Sequence, residues 1–250
     1  MRRMMAMTLA LGLLWWAGPA GTRELDRTKR HARNGQPAWG PVQSSPLRPG
    51  ASLGGYCTFN FLFYSPGSAT KAPVAYIGTA GHCTNEVGER VENPVLGEVG
   101  TVVYDSDQAN SAIDFSLIQL DPAVVKQANP QMFGWKGPTG VTELDALATG
   151  DQIDVYGYGI GVGMFEQTRA RYGLLFDWDE HEYQADMPAV NGDSGAPLLH
   201  HPTGTAVGII SRYGLPPEVL VPSTDHGPLM VWIFEELAKA GFKDLRLATI

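Results

Sequence analysis

Beyond Tyr56 the chain is organised as short apolar runs cut apart by turn residues. Residues 56–64, 74–79, 99–104 and 115–120 are rich in β-branched and aromatic side chains, and clusters of Gly, Pro, Asn and Ser divide them. This texture predicts strands and tight turns, because such side chains suit a half-buried pleated surface. The alternation in 115–120 is only partial, as in a barrel strand buried on one face and partly covered on the other. Pro122, Pro130, Gly137-Pro138 and Gly140 then punctuate a long connection. A second strand-rich region follows at 152–158, 171–177, 196–199 and 206–211, with Gly157, Gly159, Gly161 and Gly163 in its turns. Leu229, Ile233 and Leu237 recur at helical spacing, with Glu235 and Glu236 between them. They predict a closing amphipathic helix over 228–241 that stops near Gly241. The expected fold is all-β. One half occupies 51–122, a connection 123–149, a second half 150–227, and the helix ends the domain.

The N-terminal pattern differs. Arg2 and Arg3 precede an apolar run over 6–16, and Gly18, Pro19 and Ala20 follow it. This reads as a secretory signal over 1–20, and the run is too short to span a bilayer. No later stretch reaches that length, so the mature protein is expected to be soluble, secreted and free of the membrane. Residues 21–50 are basic and then rich in Pro, Gly and Ser. On composition they read as a pro-segment or disordered linker, with Lys29-Arg30 and Arg33 as processing points.

Composition adds little beyond exclusion. The 250 residues are 44% hydrophobic and 18% charged, which suits a globular core rather than disorder. Loss of Arg2 and Arg3 with the signal takes the formal charge from −8 to −10. An acidic surface disfavours nucleic acid and anionic membranes as partners. Cys57 and Cys83 are the two cysteines. In an exported protein one disulfide between them is expected. It would close a loop of about 27 residues and contribute roughly 3 kcal/mol on the chain-entropy account.

Three segments carry chemistry: Thr79-Ala80-Gly81-His82-Cys83, Ala112-Ile113-Asp114-Phe115, and Asn191-Gly192-Asp193-Ser194-Gly195-Ala196-Pro197. A serine hydroxyl is a poor nucleophile until a base takes its proton, and the oxyanion it creates needs donors aimed at one point. Glycines on both sides of Asp193-Ser194 allow that backbone. Taken alone, the same tetrapeptide also occurs in surface turns. His82 supplies the base, and Asp114 can hold the imidazole in the correct tautomer. The other histidines, His31, His181, His200, His201 and His226, lack such a setting.

The order His, Asp, Ser with these local words resembles the chymotrypsin-like serine proteases. The stretch from Tyr56-Cys57-Thr58-Phe59 to Cys83-Thr84 looks like their bacterial, streptogrisin-like branch. The resemblance covers roughly residues 50–240. It implies two six-stranded antiparallel β-barrels with the site between them, and His82, Asp114 and Ser194 as the triad. It implies an oxyanion hole from the N–H groups of Gly192 and Ser194, and a bond from Cys57 to Cys83. The implied partner is a polypeptide substrate, with no cofactor and a monomeric enzyme.

The family's Ile-Val-Gly-Gly start is missing. In the family, that start frees an amine that pairs with the Asp before the serine. Asp193 must find another partner among Arg169, Arg171, Arg212 and Tyr156. By the same resemblance the primary pocket has Pro188 at its base, followed by Ala189, with Ser211, Arg212, Tyr213 and Gly214 as its wall. None of Pro188, Ala189 and Val190 is charged, so cleavage after an uncharged residue is expected. Arg212 turned inward, or Glu218 or Asp225 reaching in, would alter that.

Other classes fit less well. An α/β-hydrolase needs Gly-x-Ser-x-Gly and the order Ser, Asp, His, whereas Ala196 occupies the last glycine position. A metal centre finds only His200-His201, which point apart on a strand. A catalytically silent binding protein would more naturally have lost part of the triad.

Overall fold

The computed structural model describes residues 35–68, 70–159, 163, 165, 169–213 and 223–250. The expected signal and the basic part of the linker lie outside the described residues.

The first half supplies β1 (Ser52–Leu53), β2 (Cys57–Thr58), β3 (Leu62–Ser65), β4 (Val74–Thr79), β5 (Arg90–Asn93), β6 (Gly97–Asp105) and β7 (Ser116–Leu120). In β3, β4 and β7 nearly every side chain is buried, because the barrel interior lies on one face and other elements cover the other. Phe63 shows both sides at once. Its ring meets Phe115 and Phe234 edge-on, with centroids 6.1 and 5.7 Å away. The sheet closes through β1: the Gly54 N–H donates to the Glu92 carbonyl at 3.0 Å, and Asn93 Nδ2 donates to the Ser52 carbonyl at 2.9 Å.

The second half supplies β8 (Gln152–Tyr156), β9 (Ala170–Trp178), β10 (Glu182–Met187), β11 (Pro197–His200), β12 (Ala206–Ile209), β13 (Arg212–Tyr213) and β14 (Ser223–Pro228). Their order is β12-β11-β8-β9-β10-β14-β13, all antiparallel, with the two-residue β13 as a seventh strand on the edge. A bridge between Gly208 and Leu229 folds β12 back towards the end of β14. The helix α1 (Met230–Lys239) buries Met230, Ile233 and Leu237, as its spacing predicts. Gly241, at φ 104°, ends it, and the Phe242 N–H returns to the Leu237 carbonyl at 2.9 Å, a Schellman-type stop. The chain then returns to the first barrel, where β15 (Arg246–Leu247) pairs with β3.

Three expectations need correction. The run 56–64 divides into β2 and β3, because Asn60 Oδ1 accepts the Phe61 N–H at 2.7 Å while Thr58 bonds across to the second barrel. The strands β5, β10 and β14 have no apolar run in the sequence, and in β5 and β10 polar side chains fill the outward positions. Residues 36–50, too polar to order by themselves, are ordered by a partner: Leu47 is fully buried, its N–H donates to the Gln127 carbonyl at 3.1 Å, and its carbonyl accepts from the Asn129 N–H at 3.0 Å. This segment and the connection 123–149 satisfy each other's backbone groups, which neither could do alone.

Candidate active site

His82 sits in the 3-10 turn Gly81–Cys83 directly after β4. A disulfide from Cys83 to Cys57, with Cα atoms 6.2 Å apart, pins that turn to β2. Asp114 precedes β7 at φ 44°, a left-handed conformation that costs energy for a residue with a Cβ. What holds it there is the histidine turn. The His82 backbone N–H donates to Asp114 Oδ1 at 2.9 Å, and His82 Nδ1 lies 2.9 Å from Oδ2 and 3.2 Å from Oδ1. Ser211, which leads into β13, donates its hydroxyl to Asp114 Oδ2. The carboxylate therefore collects donors from both barrels.

The electrostatics follow this geometry. The bond to Asp114 raises the His82 pKa above the usual imidazole value. Partial burial opposes it, the charges of Asp114 and Asp107 add to it, and Arg212 works against it. For Asp114 burial is the largest single influence and pushes upward. The bonds from His82 and Ser211, with the nearby imidazole charge, outweigh it and hold the carboxyl below its ordinary value.

Ser194 stands on the other barrel, between buried Asp193 and Gly195. Gly192 and Gly195 have φ 99° and 89°. A Cβ at Gly195 would lie 2.2 Å from the Thr58 carbonyl oxygen, so only glycine fits. Thr58 fastens this loop to the first barrel. Its N–H donates to the Ser194 carbonyl at 2.8 Å, and its hydroxyl donates to the Gly192 carbonyl at 2.7 Å. The Cys83 sulfur lies 3.8 Å from the same Ser194 oxygen. With these carbonyls engaged, the Gly192 and Ser194 N–H groups have no partner among the described residues. The Ser194 hydroxyl makes no hydrogen bond to His82 in this structure, so the serine and the His82–Asp114 pair are registered through the backbone.

Of the four candidates, Arg171 is the partner of Asp193. Its Nη2 and Nη1 lie 2.5 and 2.6 Å from Oδ1 and Oδ2, with both side chains buried. The Gly159 and Val190 N–H groups complete the carboxylate's shell at 2.8 and 2.9 Å. Arg169 instead donates to the Gly163 carbonyl, Arg212 to Glu182, and Tyr156 to the Phe133 carbonyl.

The expected pocket residues are placed less uniformly. Pro188 is exposed, and its carbonyl accepts from Arg171 at 2.6 Å. On the outer side it borders an open groove of about 400 Å³ with Gln152, Tyr172, Gly173, Leu174 and Asp186, which includes none of the three catalytic candidates. Ala189 is half-buried against the second core. Ser211, expected in the pocket wall, donates its hydroxyl to Asp114 Oδ2, a contact that no spacing in the sequence signalled. Arg212 is exposed, Tyr213 faces Asp225 across β13 and β14, and Gly214 and Glu218 lie outside the described residues. Asp225 is fully buried on β14.

His200 and His201 do diverge, His200 to Asp151 at 3.0 Å and His201 to Asp154 at 2.8 Å. The one cluster of metal-type donors among the described residues is Cys57, His82 and Cys83. Its sulfurs are bonded to each other and offer no thiolate.

No protein-family profile matches the sequence, and no curated protein matches it. Solved structures do. The HtrA-type protease AlgW aligns over 80% of this chain and 67% of its own, at 14% identity and a TM-score of 0.50. Kallikrein-related peptidase 10 covers 80% of this chain and 98% of its own at 16% identity and 0.48. A Glu endopeptidase covers 72% and 91% at 20% identity and 0.42. At such identities the likeness is one of fold, and the fold is that of the chymotrypsin-like proteases.

Proposed function

We propose that the protein is a secreted serine endopeptidase of the chymotrypsin-like superfamily, near its streptogrisin-like branch, with Ser194 as nucleophile, His82 as base and Asp114 as orienter. The observation that carries this reading is the His82–Asp114–Ser211 chain of hydrogen bonds, built across two barrels beside an unpaired pair of loop N–H groups. With Nδ1–H donated to Asp114, His82 keeps a bare Nε2 that takes the proton of Ser194. The serine oxygen then attacks the peptide carbonyl, and the oxyanion is received by the Gly192 and Ser194 N–H groups. Protonated His82 returns the proton to the leaving amine. Water then cleaves the acyl-enzyme by the same route in reverse roles.

The Arg171–Asp193 pair fixes the loop from inside the chain, so formation of the oxyanion donors requires no new N-terminal amine. Uncharged Pro188, Ala189 and Val190 support cleavage after an uncharged residue. Among the described residues no helix is long and apolar enough to cross a membrane.

A fluorophosphonate probe followed by peptide mapping tests the assignment. Labelling at Ser194, absent from Ser194→Ala and His82→Ala, is the expected result. The absence of a Ser194–His82 side-chain hydrogen bond favours one second reading, a protease fold that binds polypeptides without cleaving them. Absence of labelling and of hydrolysis in folded protein would select it.

A further inference from the structure

Among the described residues β13 is the outermost strand of the second sheet, and Ser211, the residue before it, donates to the proposed catalytic carboxylate. An unpaired strand edge beside a nucleophile is where an extended peptide adds as a further strand. Side chains on β13 that face out of the sheet therefore lie along any substrate bound this way.

The register fixes which face each residue takes. Gln184, His226 and Arg212 lie opposite one another across β10, β14 and β13, and Ala185, Asp225 and Tyr213 form the next row. Neighbouring rows point to opposite faces. Ala185 and Asp225 are fully buried, so theirs is the inner face. Arg212 is on the outer face, and its side chain is 63% exposed. Of its five N–H donors, one is committed among the described residues, to Glu182 Oε1 at 3.0 Å. The preceding residue, Ser211, bonds Asp114, which places the Arg212 backbone next to the proposed reacting groups.

An ion pair this exposed holds its partners weakly, and a guanidinium presents a planar fork that suits a carboxylate. Building on the protease reading above, we propose that Arg212 forms a subsite for an acidic side chain of the substrate, two to four residues before the scissile bond. Glu182 holds the guanidinium in place when the subsite is empty and competes with the substrate when it is filled. The preferred substrate class is then a peptide that is uncharged at the cleaved residue and carries Asp or Glu shortly upstream.

The test uses the mature protein and matched fluorogenic peptides that differ only by Asp/Glu against Asn/Gln at each of those three upstream positions. It is run on the alkaline plateau of each variant's own pH–rate profile, so that His82 is neutral in every comparison. The readout is the ratio of kcat/KM for acidic over amide peptides, which cancels effects common to both. The wild type is expected to prefer the acidic peptide by roughly two- to fivefold at one position, as for an exposed charge pair. Arg212→Gln should bring the ratio to one, and Glu182→Gln should raise it above the wild-type value. A structural role for the Arg212–Glu182 pair would leave both ratios unchanged. A wild-type ratio of one, or a preference that survives in Arg212→Gln, overturns the proposal while leaving the protease reading intact. The same ratio is measured as binding affinity to Ser194→Ala, so a protein that binds without cleaving still decides the question.

Discussion

Replacement of Arg171 by Met should damage activity and stability together, and the size of each effect follows from the buried pair. Asp193 is fully buried and receives four donors, two of them from Arg171. Met matches the length and packing of the arginine stem, so the perturbation is electrical rather than a cavity. It leaves a buried carboxylate with only the Gly159 and Val190 N–H groups. An unpaired buried charge of this kind costs about 3–5 kcal/mol. For a chain of this size each kcal/mol moves Tm by about 2–4 °C, so a fall of roughly 10 °C is expected. The carboxylate can lessen that cost by leaving its site. Because Asp193 lies between Gly192 and Ser194, any such movement turns the oxyanion donors away. Loss of one such donor lowers kcat by about 10²–10³. The Pro188 carbonyl, which also accepts from Arg171, loses its tether as well. Arg171→Met with Asp193→Asn removes the stranded charge and should recover most of the stability but little of the activity. Thermal unfolding, with kcat/KM on one peptide, measures both. If Arg171→Met keeps its Tm within 2 °C and its kcat/KM within twofold, the pair does not hold the loop and the argument fails.

The raised His82 pKa places the acid limb of kcat/KM at a midpoint above about 6.5, since the base acts only when neutral. Asp114→Asn should return that midpoint towards the reference and lower kcat by about 10⁴; a limb that does not move contradicts the assigned cause. The same interaction contributes to folding stability below about pH 6.5 and is lost as pH rises through the raised value, which paired melts at pH 5 and 9 would register. Ser211→Ala removes one donor from Asp114 and should cost about tenfold in kcat/KM with an altered acid limb, whereas a change in KM alone would return Ser211 to the pocket wall. Gly195→Ala should fail to accumulate as folded protein, because its Cβ would meet the Thr58 carbonyl, and a normal Tm would refute that contact. Cys57→Ser with Cys83→Ser should lower stability by about 3 kcal/mol in denaturant titration; no change would show that the Thr58 contacts suffice to hold the histidine turn.

The legible parts of the sequence were those where chemistry and local conformation coincide. The His82 and Ser194 segments stand out because the chemistry proposed for them needs small, bare neighbours. The runs at β4 and β7 were plain because both their faces are buried. β10 and β14 escaped because a strand with one wet face and residues such as Asp186 or His226 does not look apolar. Arg171 could not be separated from three rival candidates, since its pairing depends on β9 passing under the serine loop, a relation with no counterpart in residue spacing. The same holds for Ser211, 97 positions from the carboxylate it contacts. The Pro- and Gly-rich stretch around Leu47 misled in the opposite direction. Its composition describes how it behaves alone, and it is not alone.

The return of the chain to β3 has a consequence for how the molecule is made. β15 pairs Leu247 with Phe63, and the Ala248 N–H donates to the Leu62 carbonyl at 2.9 Å. The first barrel thus acquires one of its strands from residues that are made after the whole second barrel. During synthesis β3 waits with an open edge while the whole second barrel is built. Long-range strand pairing of this kind is slow, and the waiting edge is exposed to wrong partners. His82 and Asp114 are carried on that unfinished barrel, so a growing chain would hold the proposed catalytic pair on an incomplete sheet until residues 246–248 have been made.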